Sequence, residues 1–146
     1  MVYYHGTDAE SLNAILKNGV DITRGSGELG QGFYVGSSLW RAFSWAWTKT
    51  NGNGMRKKYG VIECTFKDED FLSLKVLCKN RYSTLGTYRY LKKNHLEYTW
   101  VFGCDAIWTP IVGKNVQNAY QIKFEGEKGE NFVNNKMEME KWKRKK

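Results

Sequence analysis

The chain has 146 residues, 41% apolar and 26% charged, with 23 Lys/Arg against 15 Asp/Glu and a formal charge of +8. This composition excludes a disordered or fibrous polypeptide, and the length is enough to bury a core. No apolar run approaches the roughly 18 residues of a membrane span, and the opening MVYYHGT reads as a strand instead of an export signal, so the expectation is a cytoplasmic protein with no membrane partner.

Cys64, Cys78 and Cys104 are widely spaced and form no CxxC, and the histidines are His5 and His95. Neither a disulfide framework nor a bound metal is expected from such a set. A cysteine nucleophile built from Cys104, His95 or His5, and Asp105 has only its residue types behind it. Residues 136–146 hold six Lys/Arg and two Glu, half of the net charge. The expected organisation is one domain over 1–125 followed by a polar, basic C-terminal tail over 126–146, solvated or tracking phosphates.

Val2–His5 reads as the first strand. Thr7 with Glu10 reads as a capping box, Leu12, Ile15 and Leu16 follow at helical spacing, and Gly19 stands at a C-cap. Residues 25–36 hold five glycines in twelve positions and read as a loop entering a strand, Phe33–Val35. Gly25 to Gly30 matches GxGxxG, but a helix precedes it and a strand follows, the reverse of a dinucleotide fingerprint. Glycines at this density still let backbone N–H groups approach a ligand.

Ser37 or Ser38 can cap a second helix with Leu39, Ala42, Phe43 and Ala46 as its apolar stripe, and 51–54 reads as a loop. Residues 59–66 read as a strand with Ile62, Cys64 and Phe66 on one face. Residues 71–77 fit a strand or a short helix, and 81–95 show weak helical spacing at Leu85, Tyr88 and Leu91. Two late strands follow, about 104–109 and 119–125. In the last, Tyr120, Ile122 and Phe124 share one face, and Gln121, Lys123 and Glu125 the other. Strands outnumber helices, which suits an α+β domain with a largely antiparallel or split sheet.

The order Tyr4-His5-Gly6-Thr7, a glycine-rich loop, Gly30-Gln31-Gly32-Phe33-Tyr34-Val35-Gly36, then Ala42 and Trp45-Ala46 resembles the NAD-dependent ADP-ribosyltransferase superfamily. The resemblance is to the branch of diphtheria toxin and the poly-ADP-ribose polymerases, marked by a His, a Tyr and usually a Glu on three strands, and to its small bacterial and phage members. It covers residues 2–47 and, thinly, 100–125. It implies a split β-sandwich of two small sheets around an NAD cleft, flanked by two or three helices.

The resemblance further implies that His5 hydrogen-bonds the adenosine ribose of NAD and that Gly6 offers its backbone to the nicotinamide carboxamide. Tyr34 would stack on the nicotinamide, with Trp45, eleven positions later, against the ring's other face. Such an aromatic slot suits a planar cation. Thr7 and Gly32 belong to the same cofactor-binding set. Gln121 stands where the family has its Glu, so His5, Tyr34 and Gln121 form the expected catalytic set. A neutral Gln accepts a hydrogen bond but gives less electrostatic help than a carboxylate.

The implied activity is cleavage of NAD, release of nicotinamide and transfer of ADP-ribose to an intracellular macromolecule. RNA or DNA is favoured by the charge. By analogy, such an enzyme would be a toxin or phage-defence effector, with an acidic antitoxin or inhibitor as a further partner. The alternatives are an NAD, ADP-ribose or nucleic-acid binding module without catalysis, and an NAD glycohydrolase.

Overall fold

A computed structural model describes residues 1–52, 54, 57–111 and 119–144. The elements in chain order are β1 (Val2–Asp8), α1 (Ala9–Asn18), a 3-10 turn (Ile22–Arg24), β2 (Ser26–Gly27), β3 (Gly30–Gln31), β4 (Phe33–Gly36) and α2 (Leu39–Asn51). Then come β5 (Tyr59–Thr65), α3 (Asp68–Leu72), β6 (Val76–Cys78), α4 (Arg81–Lys93), β7 (Ala106–Pro110), β8 (Tyr120–Phe124), α5 (Gly126–Asn135) and β9 (Glu138–Lys141). The architecture is α+β.

Seven strands join in the order β6-β7-β8-β4-β1-β5-β9, and β2 pairs with β3 in a separate ribbon. Among the described residues β6 and β7 alone run parallel; the other pairs are antiparallel. Two small sheets flanked by two or three helices were the expectation. The described residues instead form one continuous large sheet with five α-helices. The sheet is nevertheless nearly divided. β1 matches β5 along its whole length, from Val2↔Thr65 to Asp8↔Tyr59, yet meets β4 only at Tyr4↔Gly36.

One face of this sheet carries the main core. Tyr3, Phe33, Val35, Ile62, Cys64, Ile122 and Phe124 pack there under Leu12 of α1, Phe71 of α3 and Phe132 and Val133 of α5. Phe66, Phe71, Phe124 and Phe132 meet one another at ring-centroid distances of 5.5–6.4 Å. The expected alternation in β5 is therefore present, with Ile62 and Cys64 fully buried. On the opposite face α2 lies on β1 and β5, and a smaller cluster of Leu29, Cys104 and Ile107 packs with Tyr34 and Phe102.

Several local expectations shift. β1 stays paired with β5 as far as Asp8, so the cap of α1 is Asp8, which accepts from Ser11 N at 2.9 Å; Thr7 is still strand. Gly19 does end α1, with φ +85° and its N–H on the Ile15 carbonyl. Ser38, not Ser37, caps α2. Residues 71–77 are divided between α3 and β6, and 81–93 are helical. Of the 51–54 loop, position 53 lies outside the described residues.

The largest revision concerns the C-terminus. A polar tail over 126–146 does not fit, because α5 buries Phe132 and Val133 in the core and β9 adds an edge strand to β5. Glu138, Glu140 and Lys141 of β9 suit a solvated edge, where charge discourages pairing with another chain.

Gly6 sets the distance between β1 and α2. A Cβ there would overlap the Ala42 carbonyl oxygen and press on the Ala46 side chain. Gly6→Ala is expected to cost about 1–3 kcal/mol, measured by urea unfolding. Gly86→Ala in α4, where a Cβ would meet nothing within 4 Å, is expected to stabilise by up to about 1 kcal/mol through helix propensity.

Candidate functional site

The seam between β1 and β4 brings the His5 side chain to the Tyr34 backbone. Beyond Tyr4↔Gly36 the two strands part, and Tyr34 lacks a partner on β1. The His5 imidazole fills that gap: Nδ1 lies 2.6 Å from the Tyr34 carbonyl oxygen, and the ring stacks on Phe33 at 4.4 Å. A carbonyl can only accept, so Nδ1 carries the proton and Nε2 is left as an acceptor. Burial pushes the His5 pKa down to about 4, the bond to Tyr34 opposes this, and the Lys49 charge adds to it. The ring is therefore neutral at pH 7.

A stability test follows. Between pH 4 and 6.5 the unfolded chain protonates His5 and the folded chain does not. Stability from this group is full above about 6.5 and is lost as the pH falls toward 4. His5 as a residue is only half-buried, which holds the loss to about 1–2 kcal/mol. Urea unfolding at pH 4.5 and 7 should show this loss in the wild type, and a shallower slope in His5→Asn.

Tyr34, Gly36, Gln121, Lys123 and Tyr4 alternate onto the face opposite the main core. There α2 covers β1 and β5, and the β2–β3 ribbon covers β4 and β8, so the seam runs between two covers. Tyr34 belongs to the ribbon side. Its hydroxyl donates to the Gly30 carbonyl at 2.6 Å and accepts from Leu29 N at 3.0 Å. Gly27 lies against one face of its ring, where a Cβ would come within 2.8–3.0 Å of the ring carbons. Burial, with Glu28 and Glu125 nearby, raises its pKa far out of the working range, so it stays a neutral phenol.

Gln121 is buried, and its Nε2 donates to Glu28 Oε2 at 2.9 Å. Glu28 is the residue that sequence reasoning missed. It sits at the tip of the ribbon, 93 positions from Gln121, and brings a carboxylate beside the position where β8 has none. Its place inside the glycine-rich loop was the only available signal.

Lys123 and Glu125 are fully buried on this same face. Lys123 Nζ donates to the Leu29 and Trp100 carbonyls at 2.8 and 3.1 Å and faces Glu125 Oε1 at 3.0 Å. The Lys123–Glu125 contact is an ion pair outside good hydrogen-bond alignment, since Oε1 has no hydrogen-bond partner. Glu125 Oε2 accepts from Phe102 N and Gly103 N at 2.7 and 3.0 Å. Burial lowers the Lys123 pKa, and Glu125 opposes the shift. This pair anchors the ribbon and the 100–103 segment under which Tyr34 sits.

The remaining predicted residues frame the seam without touching its polar groups. Gly6 is buried beneath α2. Thr7 is buried and donates to Asp8 Oδ1 at 3.3 Å. Gly32 closes the ribbon, its N–H on the Gly25 carbonyl at 3.0 Å. Trp45 is 61% exposed on α2. Lys49, one turn on, adds its charge to the forces that lower the His5 pKa. No ring contact joins Trp45 to Tyr34 among the described residues. His5 likewise reaches Tyr34 through its backbone, with the two rings on opposite faces of the sheet.

The cysteine alternative is not assembled. Cys104 is buried with its thiol pKa raised by burial, and His95 is exposed in the turn after α4. All three cysteines are free. No described helix is long and apolar enough to cross a membrane. No protein-family model matches the chain, and no curated protein does either.

Proposed function

We propose that the chain is an NAD-dependent ADP-ribosyltransferase working at the β1/β4 seam, with RNA or DNA as the acceptor class. The observation that carries this reading is the neutral His5, locked by Tyr34's carbonyl where β1 and β4 part; on the opposite face of the sheet Gln121 holds the Glu28 carboxylate. An imidazole held as the Nδ1–H tautomer offers Nε2 to a ribose hydroxyl. Tyr34 and Trp45 supply apolar, aromatic walls for a pyridinium ring.

The chemistry asked of the site is rupture of the bond between ribose C1′ and the nicotinamide nitrogen. Nicotinamide leaves neutral with the bonding pair, and positive charge develops on the ribose. An acceptor hydroxyl or amine then bonds to C1′ and gives up its proton. In this reading Glu28, held by Gln121, stabilises that charge and takes that proton.

The test incubates the protein with NAD labelled in its adenylate half, together with RNA, DNA or cell lysate. Nicotinamide release with a labelled acceptor is expected, and Tyr34→Ala should raise the KM for NAD about tenfold. Release with no labelled macromolecule would make the protein an NAD glycohydrolase. The absence of a carboxylate on β8 at Gln121 favours a second reading, a binding module; tight NAD binding in calorimetry without turnover would establish it. No release, with His5→Ala indistinguishable from wild type, would end the enzyme reading.

A further inference from the structure

Apart from the C-terminal segment, whose Lys141, Lys143 and Arg144 are exposed, the chain carries a second basic stretch. Residues 71–96 contain six Lys/Arg and no Asp or Glu. They form β6 and α4, and Lys79, Arg81, Arg89, Lys92 and Lys93 stand among or beside exposed aromatics. Tyr82 is 83% exposed and Tyr90 56%. A stretch of this size without one acidic residue presents a field of a single sign.

Within that surface lies a hollow of about 470 Å³, lined by Lys79, Ser83, Thr87, Tyr90, Trp100 and Phe102, in the range of roughly 300–1,000 Å³ typical of ligand sites. Its walls are aromatic. Tyr90 and Trp100 meet edge to face at 6.3 Å, Trp100 and Phe102 at 6.0 Å, and Lys79 Nζ stands 5.6 Å over the Phe102 ring. Gly86 also lines it, and a Cβ there would touch nothing within 4 Å. A glycine inside a helix costs stability, and no packing contact here requires one; its effect is to leave the floor open. Trp100 Nε1 is buried with no hydrogen-bond partner.

We infer that this hollow binds an unpaired base of a single-stranded nucleic acid, with the α4 cations gripping the flanking phosphates. Aromatic rings take the face of any base, and an acid-free rim selects a polyanion. Helical spacing sets Arg89 three residues after Gly86 and Lys93 three after Tyr90, on or beside the stripe that lines the hollow. The hollow is also connected to the seam. Trp100's carbonyl accepts from Gln31 N at 3.0 Å and from Lys123, so the wall that holds the base braces the ribbon over Tyr34. The inference extends the acceptor part of the proposed function and does not depend on NAD cleavage.

The experiment is fluorescence anisotropy of the full chain with labelled single-stranded RNA and DNA 12-mers, a duplex of the same sequence and polyglutamate, at several salt concentrations. Single strands should bind best, with affinity falling as salt rises. Tyr90→Ala and the triple variant Lys79→Ala/Arg81→Ala/Arg89→Ala should each weaken binding about tenfold or more. Gly86→Leu fills the hollow with a better helix former, so it should raise the melting temperature while weakening binding. Neutralising Lys141, Lys143 and Arg144 should leave binding unchanged. Equal affinity for duplex, tighter binding of polyglutamate, or full affinity in Gly86→Leu and Tyr90→Ala would overturn the inference. Nicotinamide release from NAD alone, measured on the same variants, should persist; its absence in the wild type would count against the transferase reading and not against strand binding.

Discussion

Replacing Lys123 by Met is expected to lower the unfolding free energy by about 3–5 kcal/mol. Lys123 is fully buried, and its ammonium is held by two carbonyls and a carboxylate. Met fills much of the same volume but leaves Glu125 as an uncompensated charge in the interior, and leaves the Leu29 and Trp100 carbonyls without this donor. The double variant Lys123→Met/Glu125→Gln removes both charges, so its loss should fall well short of the sum of the singles. Urea unfolding monitored by tryptophan fluorescence would measure all three. A loss below about 1 kcal/mol for Lys123→Met would show that the pair is not what holds the ribbon over Tyr34.

Glu28→Gln is expected to reduce nicotinamide release about a hundredfold, with a small change in KM, because removing one electrostatic group aimed at a developing charge costs about 10²–10³ in rate. The amide can still accept from Gln121 Nε2, so the ribbon should stay in place and unfolding should change little. Gln121→Glu alone should also slow the reaction. It replaces the 2.9 Å hydrogen bond with two carboxylates that repel, which favours protonation of one of them. The exchange Glu28→Gln/Gln121→Glu restores one carboxylate and one amide in hydrogen-bond reach and should recover most of the activity. A double variant no better than the worse single, with intact folding, would show that the carboxylate acts only from the loop. Full activity in Glu28→Gln would remove it from the chemistry.

Both experiments turn on residues whose surroundings the sequence did not reveal. Alternation in 119–125 correctly sets Gln121, Lys123 and Glu125 on one face, and a polar face ordinarily means solvent. Here the 25–31 ribbon and the 100–103 segment cover it, which turns an apparently solvated stripe into a buried network. The loop 25–36 reads as glycine-rich in one dimension. Only in three dimensions does Gly27 lie on the Tyr34 ring and Glu28 on Gln121. The C-terminal segment misled for a different reason. Its charges dominate the composition, while its burying residues, Phe132, Val133 and Met137, are few and lie among Asn, Glu and Lys.

By itself the sequence determined the local elements: the strand at His5, the glycine stop at Gly19, a second helix capped by Ser37 or Ser38, the alternating β5, and the order of residues that suggested a nucleotide cleft. Short-range forces write these, because caps, turns and alternation involve neighbours within about four positions. The tertiary structure decided the near-division of the sheet at Tyr4↔Gly36, the locking of His5 by Tyr34, the Glu28–Gln121 contact and the burial of Lys123 with Glu125. Most of these join residues 29 to 93 positions apart in the chain; the Lys123–Glu125 pair is local, but its burial is set by segments far along the chain. Such contacts form only once the whole chain has packed, so no local pattern of residue types records them.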